Sequence, residues 1–462
     1  MQPIKSKTIR SQPATVEQAG AIENHRCLNI FKPLPRTLDS AFNLDGAQQR
    51  SEFSHVDARS VTHLFTFFES LGGVQSILQH HRDHDRSWGL DSRFVNVFER
   101  ASREPARLIA LKQTGLGSIR STRRAFQRLA QPCRDSQFLY HNLWGLPILA
   151  DLDGSARRIG VLHSDWPTLD NELETASGLL DGLLCVSRSL VAKAQAAFPR
   201  FGSDRIQFLP YPVNAPTSVM QKVSEKSEPP LKEAGVTIGF CGRLQRTQKR
   251  IDRLRGVMEG LRAAGVRCRL EILGAGPEEP WLRRDLSGFD NVVWHGLRRG
   301  EEYWQILASW DVILFVSDYE GLPIAMLEAL SLGVLPIYPR IGSGGDDYVG
   351  SVAAELLYTP SPAGTQEAAI RTVIQLVQSR PEHRQALRQL ARKASAPHSM
   401  ANYFGVVSRF CQTVAALPRV SSEKFHPRTF RWADHLPYAV LERVCRSEFF
   451  VRPIAMEGTT HS

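Results

Sequence analysis

Glu320 and Glu328 are eight positions apart in the apolar stretch DVILFVSDYEGLPIAMLEALSLG, Asp311 to Gly333. The β-branched run Val312–Val316 reads as a buried strand. It stops at Ser317, Asp318 and Tyr319, after which Glu320 and Gly321 open a helix with Pro323 in its first turn and Gly333 at its end. That helix is apolar almost all round, so Glu328 is a carboxylate in a core element, where an unpaired charge costs several kcal/mol. No Lys or Arg lies within a turn or two of it on the same helix. On a helix the two glutamates stand roughly 12 Å apart along the axis. They could grip two ends of one extended ligand, with the positive helix end facing an anionic group near Gly321 and Leu322. A hydroxyl-rich ligand with phosphate at its centre suits that arrangement. A plain buried helix, with Glu328 met by a distant Arg or by backbone amides, is the competing reading.

Fixed cations lie upstream. Val236–Cys241 reads as a strand with Gly242 and Arg243 at its carboxyl end, followed by the basic loop QRTQKR, which contains Lys249, and a helix from Ile251. A guanidinium fork and a compact ammonium at a strand mouth can clamp a diphosphate; a solvated basic loop is the bland alternative. Gly72 and Gly73 separate a strand, Val61–Phe68, from a helix starting near Val74, where backbone amides can approach a ligand. His163 follows the strand Ile159–Leu162, and His141 ends a similar one, both at positions where open α/β sheets bind ligands. The turn GAGP lacks the third glycine and the distal acid of a dinucleotide fingerprint.

EGLPIAMLE resembles the E-x7-E signature of retaining glycosyltransferases of the two-Rossmann-domain (GT-B) type, family four, and the resemblance covers roughly residues 62 to 416. It implies that Glu320 touches the donor sugar and Glu328 the ribose. The loop Gly321, Leu322 and Pro323 would then approach sugar and phosphates. GRL followed by Lys implies Arg243 and Lys249 as diphosphate ligands, with Arg250 where relatives have Gly. Gly72 and Gly73 match a GGv element under the donor phosphates. HSDW resembles a strand-ending H-D element, so His163 would hydrogen-bond the donor sugar, with Asp165 displaced by one Ser. Pro212 replaces the Gly of an I-P-x-G-V turn. The loop His295 to Arg298, with Leu297, would line the base pocket, and Asp346 and Asp347 stand where relatives often have G-x-x-E.

At 462 residues, with 42% hydrophobic and 23% charged residues, the chain is of a size and composition for two α/β domains. Strands alternating with helices predict two Rossmann-like parallel sheets facing a central cleft. The expected organisation is an N-terminal extension (1–60), an acceptor domain (61–216), a linker (217–234), a nucleotide-sugar domain (235–397), a crossover helix (398–417) and a basic aromatic tail (418–462). The tail carries an expected helix, Tyr438–Arg446. No run of about 18 apolar residues spans a bilayer and no secretory signal is evident, so a cytoplasmic location is expected. Seven scattered cysteines indicate neither zinc nor a disulfide framework. The net charge of +10 suits an anionic partner, whether a nucleotide diphosphate or an anionic membrane surface touched peripherally; no nucleic-acid motif is present.

What the resemblance implies is transfer of a hexosyl group from a nucleotide-diphosphate sugar to a glycan or lipid-linked glycan, in cell-envelope or extracellular polysaccharide synthesis. No cofactor is expected beyond the donor substrate, and no metal, since no D-x-D constellation occurs. A degenerate GT-B scaffold and a sugar-nucleotide epimerase are the alternatives. A phosphorylase would need a pyridoxal lysine that cannot be located.

Overall fold

A computed structural model describes residues 58–420 and 432–440, apart from 70–71, 101–103, 105, 134, 155–156, 167, 226–234 and 361–363. The expected extension therefore lies almost wholly outside the described residues, as do half of the linker, 226–234, and most of the expected tail helix; the described half of the linker is a helix, Thr217–Glu225.

The first sheet holds β1 (Arg59–Phe65), β2 (Leu90–Asn96), β3 (Leu108–Ala110), β4 (Gln137–His141), β5 (Arg158–Leu162), β6 (Gly182–Cys185) and β7 (Ile206–Phe208). Its order is β3-β2-β1-β4-β5-β6-β7 and every pairing is parallel. The second sheet repeats the plan with β8 (Val236–Cys241), β9 (Cys268–Leu273), β10 (Val292–Gly296), β11 (Val312–Leu314), β12 (Leu335–Pro339) and β13 (Leu357–Tyr358) in the order β10-β9-β8-β11-β12-β13. These are the two expected Rossmann-like sheets. Chain direction across each sheet reverses beside its first strand, at β1/β4 and β8/β11, which leaves a crevice outside the carboxyl ends.

Local chemistry accounts for the elements. Ser187 caps the helix Arg188–Ala197 by accepting from Leu190 N–H at 3.2 Å. Ser399 likewise caps Met400–Ala416, accepting from Asn402 N–H at 3.1 Å. That last helix lies against the first sheet, where Phe404 stacks on Trp88 with centroids 6.0 Å apart. Tyr438, where the expected tail helix starts, is buried on the first sheet's side with its hydroxyl 2.7 Å from Thr122 Oγ1. No helix among the described residues is long and apolar enough to cross a membrane.

The glutamate stretch departs from expectation at one point. Its helix is Ile324–Leu332, and Pro323 is the N-cap with φ −63° and ψ 119°. Glu320, Gly321 and Leu322 are not helical, because the residue before a proline is pushed out of the helical region and Pro323 itself stays extended. Gly333 ends the helix in the left-handed conformation, φ 74°, as expected.

Candidate active site

A cavity of about 700 Å3 opens between the carboxyl ends of the two sheets. From the first sheet it is lined by Gly72, Gly73, Asn142, His163 and Tyr211, and from the second by Arg243, Lys249, Leu297 and Tyr303. Glu320, Gly321, Leu322, Pro323 and Glu328 complete the wall. Of the residues predicted for the site, His295 is not among the lining residues, and neither are His141, Asp165, Asp346 and Asp347.

Arg243 is held by backbone close packing. Gly274, φ 150°, would place a Cβ 2.0 Å from the Gly242 carbonyl oxygen. Only glycine lets the turn after β9 lie directly on the loop after β8. Leu244 N–H donates to the Ala275 carbonyl at 3.1 Å and locks the two loops together. From there the Arg243 guanidinium reaches toward the other half, its Nη2 lying 3.7 Å from where a Cβ on Gly72 would stand.

Lys249 Nζ donates to Glu320 Oε1 at 2.6 Å, and the Ser317 hydroxyl donates to the same oxygen at 2.6 Å. The carboxylate side chain is 5% exposed and the lysine 18%. This is a partly desolvated ion pair facing the cavity. Arg250 turns away: its guanidinium bonds Asp252 and Asp318, and its backbone takes φ 49°, a conformation for which glycine is better suited. Between the two neighbouring cations, Lys249 is therefore the one at the cavity.

No arginine among the described residues is paired with Glu328. The Tyr303 hydroxyl, from the helix Gly300–Ser309, donates to Glu328 Oε2 and lies 3.7 Å from Cys241 Sγ. Enclosure by protein pushes the Glu328 carboxyl up to about 7, the Tyr303 hydrogen bond offsetting only part of it. Glu328 is half-buried and lines the cavity. Burial also holds Tyr303 well above the usual phenol range.

Gly321 marks where the halves touch. It forms an antiparallel bridge with Ser164, and a Cβ on it would lie 2.2 Å from the His163 carbonyl oxygen. Gly73 faces the start of the glutamate helix, with its Cβ position 3.2 Å from Ile324 Cδ1.

Other expected ligands are engaged elsewhere. His295 bonds Glu271 at 2.8 Å through Nε2, so it braces the sheet beside Trp310, whose indole Nε1 donates to the same carboxylate at 2.9 Å. Asp165 pairs with Lys193 at 2.8 Å. Asp346 accepts from Gly342 N–H at 3.0 Å and helps cap the helix Gly344–Val352. His163 lines the cavity, but both its ring nitrogens are occupied: Nε2 by His141 Nδ1 at 2.7 Å and Nδ1 by the Tyr211 hydroxyl. In this arrangement neither nitrogen is left for a sugar.

The two facing Rossmann-like sheets are also what the chain shares with known proteins. Residues 235–379 match the family model for glycosyl transferases group 1. The second sheet lies within this matched stretch, and so do Arg243, Lys249, Glu320 and Glu328. Among curated relatives, the lipopolysaccharide 1,6-galactosyltransferase of Escherichia coli K12 is 32% identical over 139 residues, 28% of this chain and 38% of that one. A GDP-mannose-dependent alpha-mannosyltransferase of Mycobacterium tuberculosis is 34% identical over 109 residues, 24% of this chain and 26% of that one. The chain spans 20 to 38% of the length of the curated relatives it matches. Solved structures share the whole two-sheet fold. A lipopolysaccharide outer core galactosyltransferase, WaaB in its apo form, gives a TM-score of 0.55 at 16% identity, covering 76% of this chain and 99% of that one. The pneumococcal O-GlcNAc transferase GtfA, in complex with UDP and GlcNAc, gives 0.60 at 12% identity, covering 78% and 99%. The fold is that of the GT-B glycosyltransferases.

Proposed function

We propose that the chain is a retaining glycosyltransferase. It moves a hexosyl group from a nucleotide-diphosphate sugar to a glycan or lipid-linked glycan acceptor, in cell-envelope or extracellular polysaccharide synthesis. The observation that carries this reading is the Lys249–Glu320 pair with Arg243 beside it, at a cavity of about 700 Å3 whose far wall holds Glu328.

In this reading the diphosphate lies against Arg243, Lys249 and the amino end of the helix Ile324–Leu332. As the bond between anomeric carbon and phosphate oxygen breaks, negative charge grows on the leaving nucleoside diphosphate. The two cations and the helix end neutralise it from fixed positions, with no reorganisation at the moment of reaction. Lys249 gives one N–H to Glu320 and keeps two for phosphate. Glu320 orients the sugar, and Glu328 with Tyr303 receives the ribose. The acceptor hydroxyl attacks on the leaving-group face and passes its proton to a phosphate oxygen, so configuration is retained without a protein nucleophile. Two fixed cations supply the neutralisation, so the step is proposed to run without a divalent metal. Support for an envelope glycan as product comes from the lipopolysaccharide galactosyltransferase among the relatives. The basic net charge of +10 suits peripheral contact with an anionic membrane surface.

The test is to incubate purified protein with UDP-, GDP- and ADP-hexoses and follow nucleoside diphosphate release and the anomer formed. One donor is consumed with retention, and Arg243→Ala lowers its turnover on the order of a hundredfold. Full activity in that variant, or inversion at the anomeric carbon, contradicts the assignment.

A further inference from the structure

The two walls of the cavity differ in charge. The lining from the second half carries Arg243, Lys249, Arg298 and Arg299, whereas the lining from the first half holds no lysine or arginine, and its one carboxylate, Asp83, is paired with Arg82 at 2.7 Å. What the first half offers instead is aromatic. Phe67 and Trp144 line the cavity, each half-buried, and both pack on the buried ring of Phe98 with centroids 5.7 and 5.6 Å away. From the same half the helix Gly73–His84 lines the cavity with Gln79 and His80, whose side chains have no hydrogen-bond partner among the described residues.

Asn142 gives this wall a fixed donor. It follows β4 with φ 51°, and Leu143 after it takes φ 57°. Asparagine tolerates that left-handed conformation far better than leucine does, so the turn stores strain of the kind that collects at ligand sites. The Asn142 side chain is 9% exposed, and its Oδ1 accepts the His163 N–H at 2.8 Å. A backbone N–H only donates, so the amide oxygen must face it and the side chain cannot turn over. Nδ2 finds no partner among the described residues and is left with both its protons at a cavity that Asn142 lines. An amide donor so nearly buried and unpaired costs free energy, which an oxygen arriving from the cavity relieves.

We propose that the first half's wall binds an uncharged sugar, laid on Phe67 and Trp144 with one of its oxygens accepting from Asn142 Nδ2. Half-covered aromatic rings at a cavity are stabilised by meeting the C–H face of a pyranose, while a few placed polar groups fix its orientation. A sugar phosphate or a uronate finds no countercharge here and is drawn to the cations of the opposite wall. Phe67, Trp144 and Asn142 thereby determine the class of sugar accepted. That this sugar is the acceptor of the transfer rests on the function proposed above; that an uncharged sugar binds here does not.

The experiment uses the full chain without donor, in phosphate buffer so that inorganic phosphate occupies the opposite wall. Saturation-transfer NMR titrations compare the methyl glycosides of glucose, galactose, mannose and rhamnose with methyl glucuronide and glucose 6-phosphate. At least one neutral glycoside should bind, and more tightly than either charged sugar. Its Kd should rise roughly tenfold in Trp144→Ala, for the lost ring face, and in Asn142→Asp, which keeps an oxygen for the His163 N–H but has no proton to give the sugar. Binding of no neutral glycoside, tighter binding of a charged one, or an unaltered Kd in the two folded variants overturns the proposal. If Trp144→Ala does not fold, Phe67→Leu takes its place; if no variant folds, the wild-type order of neutral over charged sugars decides. Should none of UDP-, GDP- and ADP-hexoses be consumed, the transferase reading fails while the titrations still decide this one. Should a donor be consumed and no neutral glycoside bind, this proposal alone fails.

Discussion

Lys249 and Glu320 satisfy each other at 2.6 Å on the wall of a cavity that both are proposed to offer to a ligand. A site with no ligand cannot leave a carboxylate that is 5% exposed without a partner. The pair therefore keeps the loop before the helix Ile324–Leu332 in place while leaving ammonium protons for an incoming anion.

Removing one member of that pair should cost more than removing both. Lys249→Met leaves the Glu320 charge with only the Ser317 hydroxyl and should lower stability by about 3 kcal/mol. Lys249→Met/Glu320→Gln should regain most of it. Neither variant should regain turnover, since both lack the phosphate cation. Urea unfolding of the two single variants and the double variant measures the coupling. Additive losses in the double variant would mean the pair is not coupled in solution.

Glu328 gives a pH-dependent stability of unusual sign for a carboxylate. Its pKa is raised from 4.5 to about 7, so the folded state holds a proton that the unfolded chain has already lost between those values. Its stability contribution is complete below pH 4.5 and is lost as pH rises through about 7. The groups facing it are Tyr303 and, through it, Cys241, both pushed up by burial. Glu328→Gln should therefore raise stability at pH 8, by at most about 3 kcal/mol, and should make little difference at pH 4.5. It should also weaken nucleotide binding. The helix pattern alone suggests a modest loss of stability for this change; the enclosed carboxyl reverses that at alkaline pH. Melting temperatures of both proteins across pH 4.5 to 8 read the difference directly.

The histidine cluster acts in the opposite direction. His141 is pushed down to about 3 by burial, and His63, His81 and His163 are also well below 6.5. The unfolded chain takes up these protons first on acidification. Stability is therefore whole above pH 6.5 and is lost as pH falls toward about 3. His141 alone accounts for about 2 kcal/mol at pH 5. Asp85, Arg107, Tyr211 and Tyr403 face the cluster, and burial raises the Asp85 carboxyl above its usual range. Calorimetric unfolding between pH 7.5 and 5 should show a steep fall in Tm; a flat profile would mean that these imidazoles are not buried neutral.

Gly321→Ala tests the contact between the halves. The new methyl would meet the His163 carbonyl oxygen at 2.2 Å, backbone that cannot rotate aside. The halves must part locally, at a cost of roughly 1–3 kcal/mol. Turnover should fall because Glu320 shifts relative to the first sheet. Retained stability and rate would show that the bridge to Ser164 does not persist in solution.

Much of this was legible in the sequence where the signal is local. Val236–Cys241 reads as a strand with these same ends, and the crossover helix expected over 398–417 spans Met400–Ala416, because apolar periodicity marks both. The glutamate helix starts later than its pattern suggests, because Pro323 is its N-cap and not a first-turn residue. The restriction it puts on Leu322 was the available clue that the helix begins after it. Tyr303 as the partner of Glu328 carried no local mark, since it lies 25 positions upstream and arrives by helix packing. His63 sits in mid-strand, and only the parallel pairing of β1, β4 and β5 brings it into line with His141 and His163. The resemblance puts His295 in the base pocket, but its buried neighbour Glu271 claims it.

The central claim, that a nucleotide sugar lies between the two sheets against Arg243, is tested most directly by calorimetric titration of UDP, GDP and ADP into the wild type and Arg243→Ala. The account predicts that one nucleoside diphosphate binds and that the variant binds it on the order of a hundredfold more weakly, as for a lost charge-assisted contact to phosphate. Equal affinity in the two proteins, or no binding of any of the three, would contradict it.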